Sequence, residues 1–182
     1  MSTSSSDVPR FRSQRTIALL GYLVAEQRVL AREQLAALFW PDEPTDKGKA
    51  NLRRELHNLA QILPDCWEAD RVQVAFVPTH QTTVDLDVLQ QYTAAGEWQA
   101  AAELLRSDFL EGIDLAENPE FETWLLGERE HWRQQAETIL TQLIAQQSRL
   151  AHYHEALRHA RRLLRLTPWN ESIHRQVMLM LV

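Results

Sequence analysis

The sequence predicts a mostly α-helical protein of two modules, with a small β-hairpin in the first. The chain has 182 residues but only 5 Gly and 7 Pro, about half the usual share of these turn-forming residues. Apolar residues recur at spacings of three and four, which is typical of helices that pack on one side. One stretch, residues 67–77, alternates at period two as a hairpin does.

The first module is predicted to contain three helices followed by the hairpin. Thr45 is the expected cap of the third helix, because its hydroxyl can accept a hydrogen bond from the first turn. In the hairpin, Val72, Val74 and Phe76 alternate, and Ala69-Asp70 is the predicted turn. Three helices and a hairpin follow the element order of a winged helix–turn–helix. The predicted elements are helices at 13–27, 32–40 and 45–63, a short extended segment at 29–30, and the hairpin.

The second module is predicted to consist of helical hairpins. Segments 96–105 and 151–164 each place an aromatic residue three positions before an Ala, followed by apolar residues at helical spacing. This pattern resembles tetratricopeptide-type hairpins, in which small residues let two helices approach closely. We therefore predict a winged-helix domain at 1–80 and a tetratricopeptide-like domain at 81–182. The predicted helices of the second domain are 85–94, 97–106, 118–147, 152–166 and 170–182.

Charge is distributed unevenly between the two modules. The net charge is −6, yet residues 1–64 carry nine Lys/Arg and seven acids, whereas residues 65–182 carry ten and eighteen. This asymmetry indicates modules with different partners.

No apolar run reaches the roughly 20 residues of a membrane span, and the polar N-terminus lacks a signal core. With one cysteine, Cys66, no intrachain disulfide can form, so we expect a cytoplasmic protein without membrane association.

The third predicted helix carries the candidate DNA-binding residues. Its leucines share one edge, and its opposite edge is polar, cationic and free of acids. Lys and Arg bind phosphate, while Arg and Asn can pair with guanine and adenine in the major groove. Arg32, at the start of the preceding helix, and Arg71, on the hairpin, are expected to contact the backbone and an adjacent groove. The candidates on the helix are Lys47, Lys49, Asn51, Arg53 at the flank, Arg54, His57 and Asn58.

A polar helix face is most often simply solvated, so this interpretation depends on its agreement with the element order. It also requires that the cationic side chains be exposed and not engaged in intramolecular ion pairs. The alternative is a protein-interaction scaffold whose winged helix no longer binds DNA, which the net charge of −6 favours.

The sequence holds no catalytic triad, Gly-rich phosphate loop or zinc-ligand spacing. We therefore expect no enzyme activity, no cofactor and no metal.

A second basic cluster occurs late in the chain. Arg158, Arg161, Arg162 and Arg165 fall within eight residues. Such a cluster is usually a solvated helix face that pairs with nearby acids such as Glu155. A regulatory contact or a contact with the DNA backbone is the second interpretation.

Several segments resemble a known family of regulators. RTIALLGYLVAEQ, REQLAALFWPDE and KANLRRELHNLAQILP are similar to the winged-helix part of bacterial transcriptional activators of the antibiotic-regulatory-protein type. FLEG, FETWL with ERE, and PWNE, in that order, resemble the bacterial transcriptional activator domain that follows it. The resemblance covers about residues 11–182. It implies sequence-specific binding to double-stranded DNA through residues 46–63, and activation through contact of the helical domain with RNA polymerase or a regulatory partner.

The sequence departs from this family before the first helix and at the end of the wing, where Val77-Pro78 stand in place of the usual Gly-Tyr. Only about ten residues precede the first helix, so the family's N-terminal strands are expected to be missing or reduced to Pro9–Arg12. The chain ends in the apolar sequence VMLMLV, which suggests a fragment of a longer regulator or an interface, and a homodimer is left open.

Overall fold

The computed structural model describes residues 11, 13–115 and 118–181 and is mostly helical, with a small antiparallel sheet. The prediction of a mostly α fold is therefore confirmed. The expected reduced strand at Pro9–Arg12 lies outside the described residues, apart from Phe11, which has no regular secondary structure. The elements are α1 (Gln14–Glu26), β1 (Leu30–Ala31), α2 (Arg32–Phe39), α3 (Thr45–Ile62), β2 (Trp67–Ala69), β3 (Gln73–Phe76), α4 (Asp85–Ala95), α5 (Trp98–Leu104), α6 (Pro119–Arg149), α7 (Tyr153–Leu166) and α8 (Glu171–Met180).

The chain divides into two compact units. Unit 1 comprises Met1–Val84 and Gly112–Trp124, and unit 2 comprises Asp85–Glu111 and Leu125–Val182. The predicted domain boundary near residue 80 stays a prediction, but the segment Gly112–Trp124 groups with the first unit.

Unit 1 is built on a core of leucines and aromatic rings from its three N-terminal helices. Leu19, Leu35 and Phe39 are almost fully buried. Phe121 of the returning segment is also fully buried, with its ring 5.3 Å from that of Phe39. Burying such a side chain stabilises a fold by about 1.5–3 kcal/mol, so the segment is part of the unit 1 core.

The sheet of unit 1 has the strand order β1-β3-β2 and is antiparallel. The carboxylate of Asp70 accepts hydrogen bonds from the backbone N–H groups of Gln73 and Val72, both at 2.7 Å, and these bonds shape the hairpin turn. They also hold the pKa of Asp70 below its usual value.

The prediction that buried and exposed side chains alternate strictly along the hairpin is wrong. Val72 lies in the turn and is exposed, whereas Val74, Ala75 and Phe76 are all buried. β3 is the central strand of the sheet, and both of its faces are covered.

The helix caps follow local chemistry, with one correction. The Ser13 hydroxyl accepts a hydrogen bond from the Thr16 N–H and caps α1. Thr45 is not the cap of α3 but its first residue, because the carbonyl of Pro44 already accepts the hydrogen bond from the Gly48 N–H at 2.9 Å.

Unit 2 consists of helical hairpins around a common apolar core. α4 packs on α5 and α7 packs on α8. Four buried alanines, Ala101, Ala102, Ala156 and Ala160, lie in the same core as Ile139–Ile144 of α6. Small side chains at these positions allow the close helix approach that the sequence pattern predicts. Among the described residues, no helix has both the length and the apolar character that a bilayer crossing requires.

Candidate nucleic-acid interface

The exposed edge of α3 is rotated from the predicted one. Gly48, Glu55 and Asn58 are buried together with the leucines. At about 100° per residue, the exposed arc is centred between Ala50 and His57. We define the basic edge of α3 as the exposed residues Lys47, Ala50, Arg54, His57 and Gln61, which share this arc with the exposed residues Asp46, Arg53 and Ala60.

A buried polar cluster explains the rotation. The Thr16 hydroxyl donates to Glu55 Oε2 at 2.8 Å, and the Asn58 amide donates to the same oxygen at 3.4 Å. A buried carboxylate needs such partners, because burial without them is costly. The prediction that Asn58 lies on the exposed face is therefore corrected, and Asn51 is half-buried at the border of the basic edge.

Three predicted cations are engaged in intramolecular ion pairs, so the requirement for unpaired side chains is not met by all of them. Lys47 and Arg54 nevertheless remain 64% and 65% exposed. The surface pair of Lys47 with Glu43 contributes only about 0–1 kcal/mol, so Lys47 can exchange one anionic partner for another. The partner of Arg54, Glu55, has a side chain that is only 11% exposed, so this second pair is not a surface ion pair. The pairs are Lys47–Glu43 at 2.7 Å, Lys49–Glu33 at 2.8 Å and Arg54–Glu55 at 3.5 Å.

The carboxylates that pair with the lysines are not among the residues that the sequence pattern singles out. Glu43 stands four residues before Lys47, a spacing that could have indicated the pair. Glu33 is sixteen residues from Lys49, and no local pattern signals that contact. The hydrogen bond between them lowers the pKa of Glu33 and raises that of Lys49.

Four predicted cations converge on one cleft of about 250 Å³ in unit 1. The backbone N–H of Arg32 donates to the Val72 carbonyl at 2.8 Å, which holds the start of α2 beside the hairpin turn that carries Arg71. Glu33 is the one acid among the residues that line this cleft. We call it the basic cleft, and its basic residues are Arg32, Lys49, Arg53 and Arg71.

The basic cleft has donors available for an anion. Arg32 Nε is buried and has no hydrogen-bond partner in the described part of the chain. Arg53 and Arg71 are exposed, and within residues 13–115 and 118–181 neither side chain has an ion pair. Guanidinium groups bind phosphate through paired N–H donors. Across the described residues, no three His, Cys, Asp or Glu side chains group as metal ligands.

Comparison with known families identifies a family for the second half of the molecule. The family model described as the bacterial transcriptional activator domain matches residues 82–182, more than half of the chain. The chain belongs to the bacterial transcriptional activator domain family. No curated protein matches the chain.

The bacterial transcriptional activator domain is a helical, tetratricopeptide-like regulatory module, which confirms the predicted fold of the second half. The matched residues include all of unit 2 and the segment Gly112–Trp124 of unit 1. The basic cleft, between residues 32 and 72, lies outside the match. Its function therefore has to be argued from its own chemistry.

Proposed function

We propose that the protein is a sequence-specific DNA-binding transcriptional activator, with residues 1–80 as a winged-helix DNA-binding domain and 81–182 as the activator domain. The observation that carries this proposal is the basic cleft. Its four cations come from the start of α2, from α3 and from the hairpin turn, and they surround one opening of about 250 Å³. Cations from three separate elements in one concave surface are suited to a polyanion.

The two parts of the surface would serve different purposes. The basic cleft would hold the DNA backbone, because Lys and Arg that neutralise phosphates supply most non-specific affinity. The adjoining basic edge would enter the major groove, where Arg54 can pair with guanine and the Ala50 methyl can contact the thymine methyl. Lys47, Asn51 and His57 lie along the same part of α3.

The test is the salt dependence of binding to a duplex selected from a random DNA pool, measured by fluorescence anisotropy. Wild-type affinity should fall steeply with salt. Arg53→Gln should reduce the slope of log K against log salt by about 0.9, the value for one phosphate contact. Arg161→Gln is the matched control, because it removes the same charge from an exposed position of unit 2, and it should leave the slope unchanged. Equal slopes for wild type and Arg53→Gln would overturn the proposal for the cleft.

A protein-interaction scaffold is the second candidate. The ion pairs of Lys47 and Lys49 and the net charge of −6 favour it, because both reduce attraction to DNA. The same titration separates the candidates. A scaffold should show no duplex binding even at low salt, since it has no DNA counterions to release.

We further propose that the helical domain contacts RNA polymerase or another regulatory protein, in the cytoplasm where DNA is accessible. The activator type of the matched family supports this proposal. Binding of purified RNA polymerase to the full chain, measured by biolayer interferometry, would support it, and the absence of binding with DNA present would contradict it for that partner.

A further inference from the structure

Unit 2 contains a concentration of arginines that DNA binding by unit 1 does not use. Two clefts, of about 430 and 310 Å³, share the lining residues Leu105, Arg106 and Arg162. We call them together the arginine cleft. Its acids are Glu103, Asp108 and Glu111, and its arginines are Arg106, Arg129, Arg133, Arg158, Arg162 and Arg165.

Arg162 is the fixed point of this cleft. Its Nη1 donates to the Ala102 carbonyl at 2.7 Å, which holds the guanidinium at the border of both openings. Arg158 and Arg165 lie one turn before and after it on α7. Burial, followed by the charges of Arg165 and Arg158, lowers the pKa of Arg162. Like charges at this spacing destabilise a helix, so an anion in the cleft would relieve the repulsion.

Few carboxylates balance these charges from within. Glu103 accepts a hydrogen bond from the Gln99 amide at 2.9 Å. The carboxylate that pairs with Arg158 belongs to Glu155, which does not line either opening. Arg133 pairs with Glu130 at 3.1 Å, and Glu130 is also outside both linings. With these two outside carboxylates and the three acids of the linings, five carboxylates stand against six arginines, so the arginine cleft keeps one formal positive charge in excess.

A buried histidine is an independent sign of an incomplete site. His159 lines the larger opening and is only 5% exposed, and its Nε2 has no hydrogen-bond partner among the described residues. Burial is the main cause that lowers its pKa, with help from Arg158 and Arg162 and opposition from Glu155. A buried polar atom without a partner costs about 1–3 kcal/mol.

We propose that the arginine cleft binds a small polyvalent oxyanion that carries phosphate or carboxylate groups. The planar guanidinium matches both groups through paired hydrogen bonds. The cleft volumes fall in the range of small-molecule sites, about 300–1,000 Å³. This site lies within unit 2 and shares no lining residue with the basic cleft.

The test is isothermal titration calorimetry of the full chain with inorganic pyrophosphate and, in a parallel arm, with citrate, at constant ionic strength. Arg162→Gln and Arg165→Gln should each weaken binding by about tenfold, the effect of losing one charge-assisted hydrogen bond. Arg165 is exposed, so its variant tests the site without disturbing the core. Arg161→Gln is the matched control, since Arg161 lies on the same helix but outside both linings.

The expected outcome is binding of at least one probe that depends on Arg162 and Arg165 and not on Arg161. The preferred probe then identifies the group. Equal loss with Arg161→Gln, or no binding by wild type, would overturn the site. Displacement of the probe by duplex DNA, with weaker DNA binding by Arg165→Gln, would assign the cleft to the DNA backbone instead. Arg53→Gln, which lies in the basic cleft of unit 1, should leave anion binding by the arginine cleft intact. The proposal of anion binding by unit 2 and the proposal of DNA binding by unit 1 can therefore fail independently.

Discussion

Replacement of Gly48 by alanine should stabilise the protein by about 0.5–1 kcal/mol. A Cβ at this position would lie 3.6 Å from the Ala36 carbonyl oxygen and 3.7 Å from Trp40 Cβ, which are ordinary contact distances. Glycine in a helix interior costs about 0.8–1.0 kcal/mol relative to alanine, largely because it frees the unfolded chain. Since no neighbour has to move, most of this difference should be recovered.

The assay is urea and thermal denaturation followed by circular dichroism. For a chain of this size, 1 kcal/mol corresponds to about 2–4 °C, so the Tm should rise by about 1–4 °C. Ala50→Gly, at an exposed position of the same helix, is the mirror control and should lower stability by about 1 kcal/mol. A lower Tm for Gly48→Ala would refute the reasoning, because it would mean that α2 and α3 pack more tightly than the structure shows.

Two further predictions concern unit 1 and unit 2. Phe121→Ala removes a fully buried ring from its contact with Phe39, and it should lower the free energy of unfolding, measured by urea denaturation, by about 3–5 kcal/mol. Glu120→Ala, at an exposed position, is the control and should lower it little. Similar small losses of stability in both variants would exclude Phe121 from the core. The pKa of His159 is lowered in the folded state, so the unfolded chain binds more protons as pH falls below about 6.5, and stability should decrease from pH 7.5 to 5.5. His159→Asn should flatten the dependence of stability on pH, and the same substitution at the exposed His154 should not. An unchanged dependence in the His159 variant would contradict the lowered pKa of His159.

The helices could be predicted from the sequence because their apolar periodicity is long and regular. The pattern predicts a third helix at 45–63, and the structure has it at Thr45–Ile62. It predicts a seventh helix at 152–166, and the structure has it at Tyr153–Leu166. Pro41, Pro64 and Pro168 interrupt the pattern at helix ends, which fixes the boundaries locally. Sheet details depend on distant partners, so the pairing of β1 with β3 was not predicted.

The orientation of α3 could not be predicted for the same reason. Leucine positions alone placed the buried side, but the hydroxyl of Thr16, 39 residues away, draws Glu55 inward. Asn58 then follows Glu55 into the interior. All four cations of the basic cleft can nevertheless be predicted from the sequence, because residue chemistry and element order point to the same positions. What the sequence lacked was the Arg32–Val72 backbone bond that brings two of these cations together.

The ion pairs around α3 indicate which cations should dominate the proposed DNA binding. When Lys47 or Lys49 exchanges a carboxylate for a phosphate, the released Glu43 or Glu33 recruits a cation from solution, and the net ion release falls below that of an unpaired contact. Arg53 and Arg71 have no ion pair to break within the described residues, so each phosphate they neutralise should count in full, at about 0.9 in the salt slope. In the proposed complex, affinity for the backbone should therefore come mainly from Arg53 and Arg71 of the cleft and less from the lysines, although the lysines lie at the start of α3, the helix proposed to face the bases.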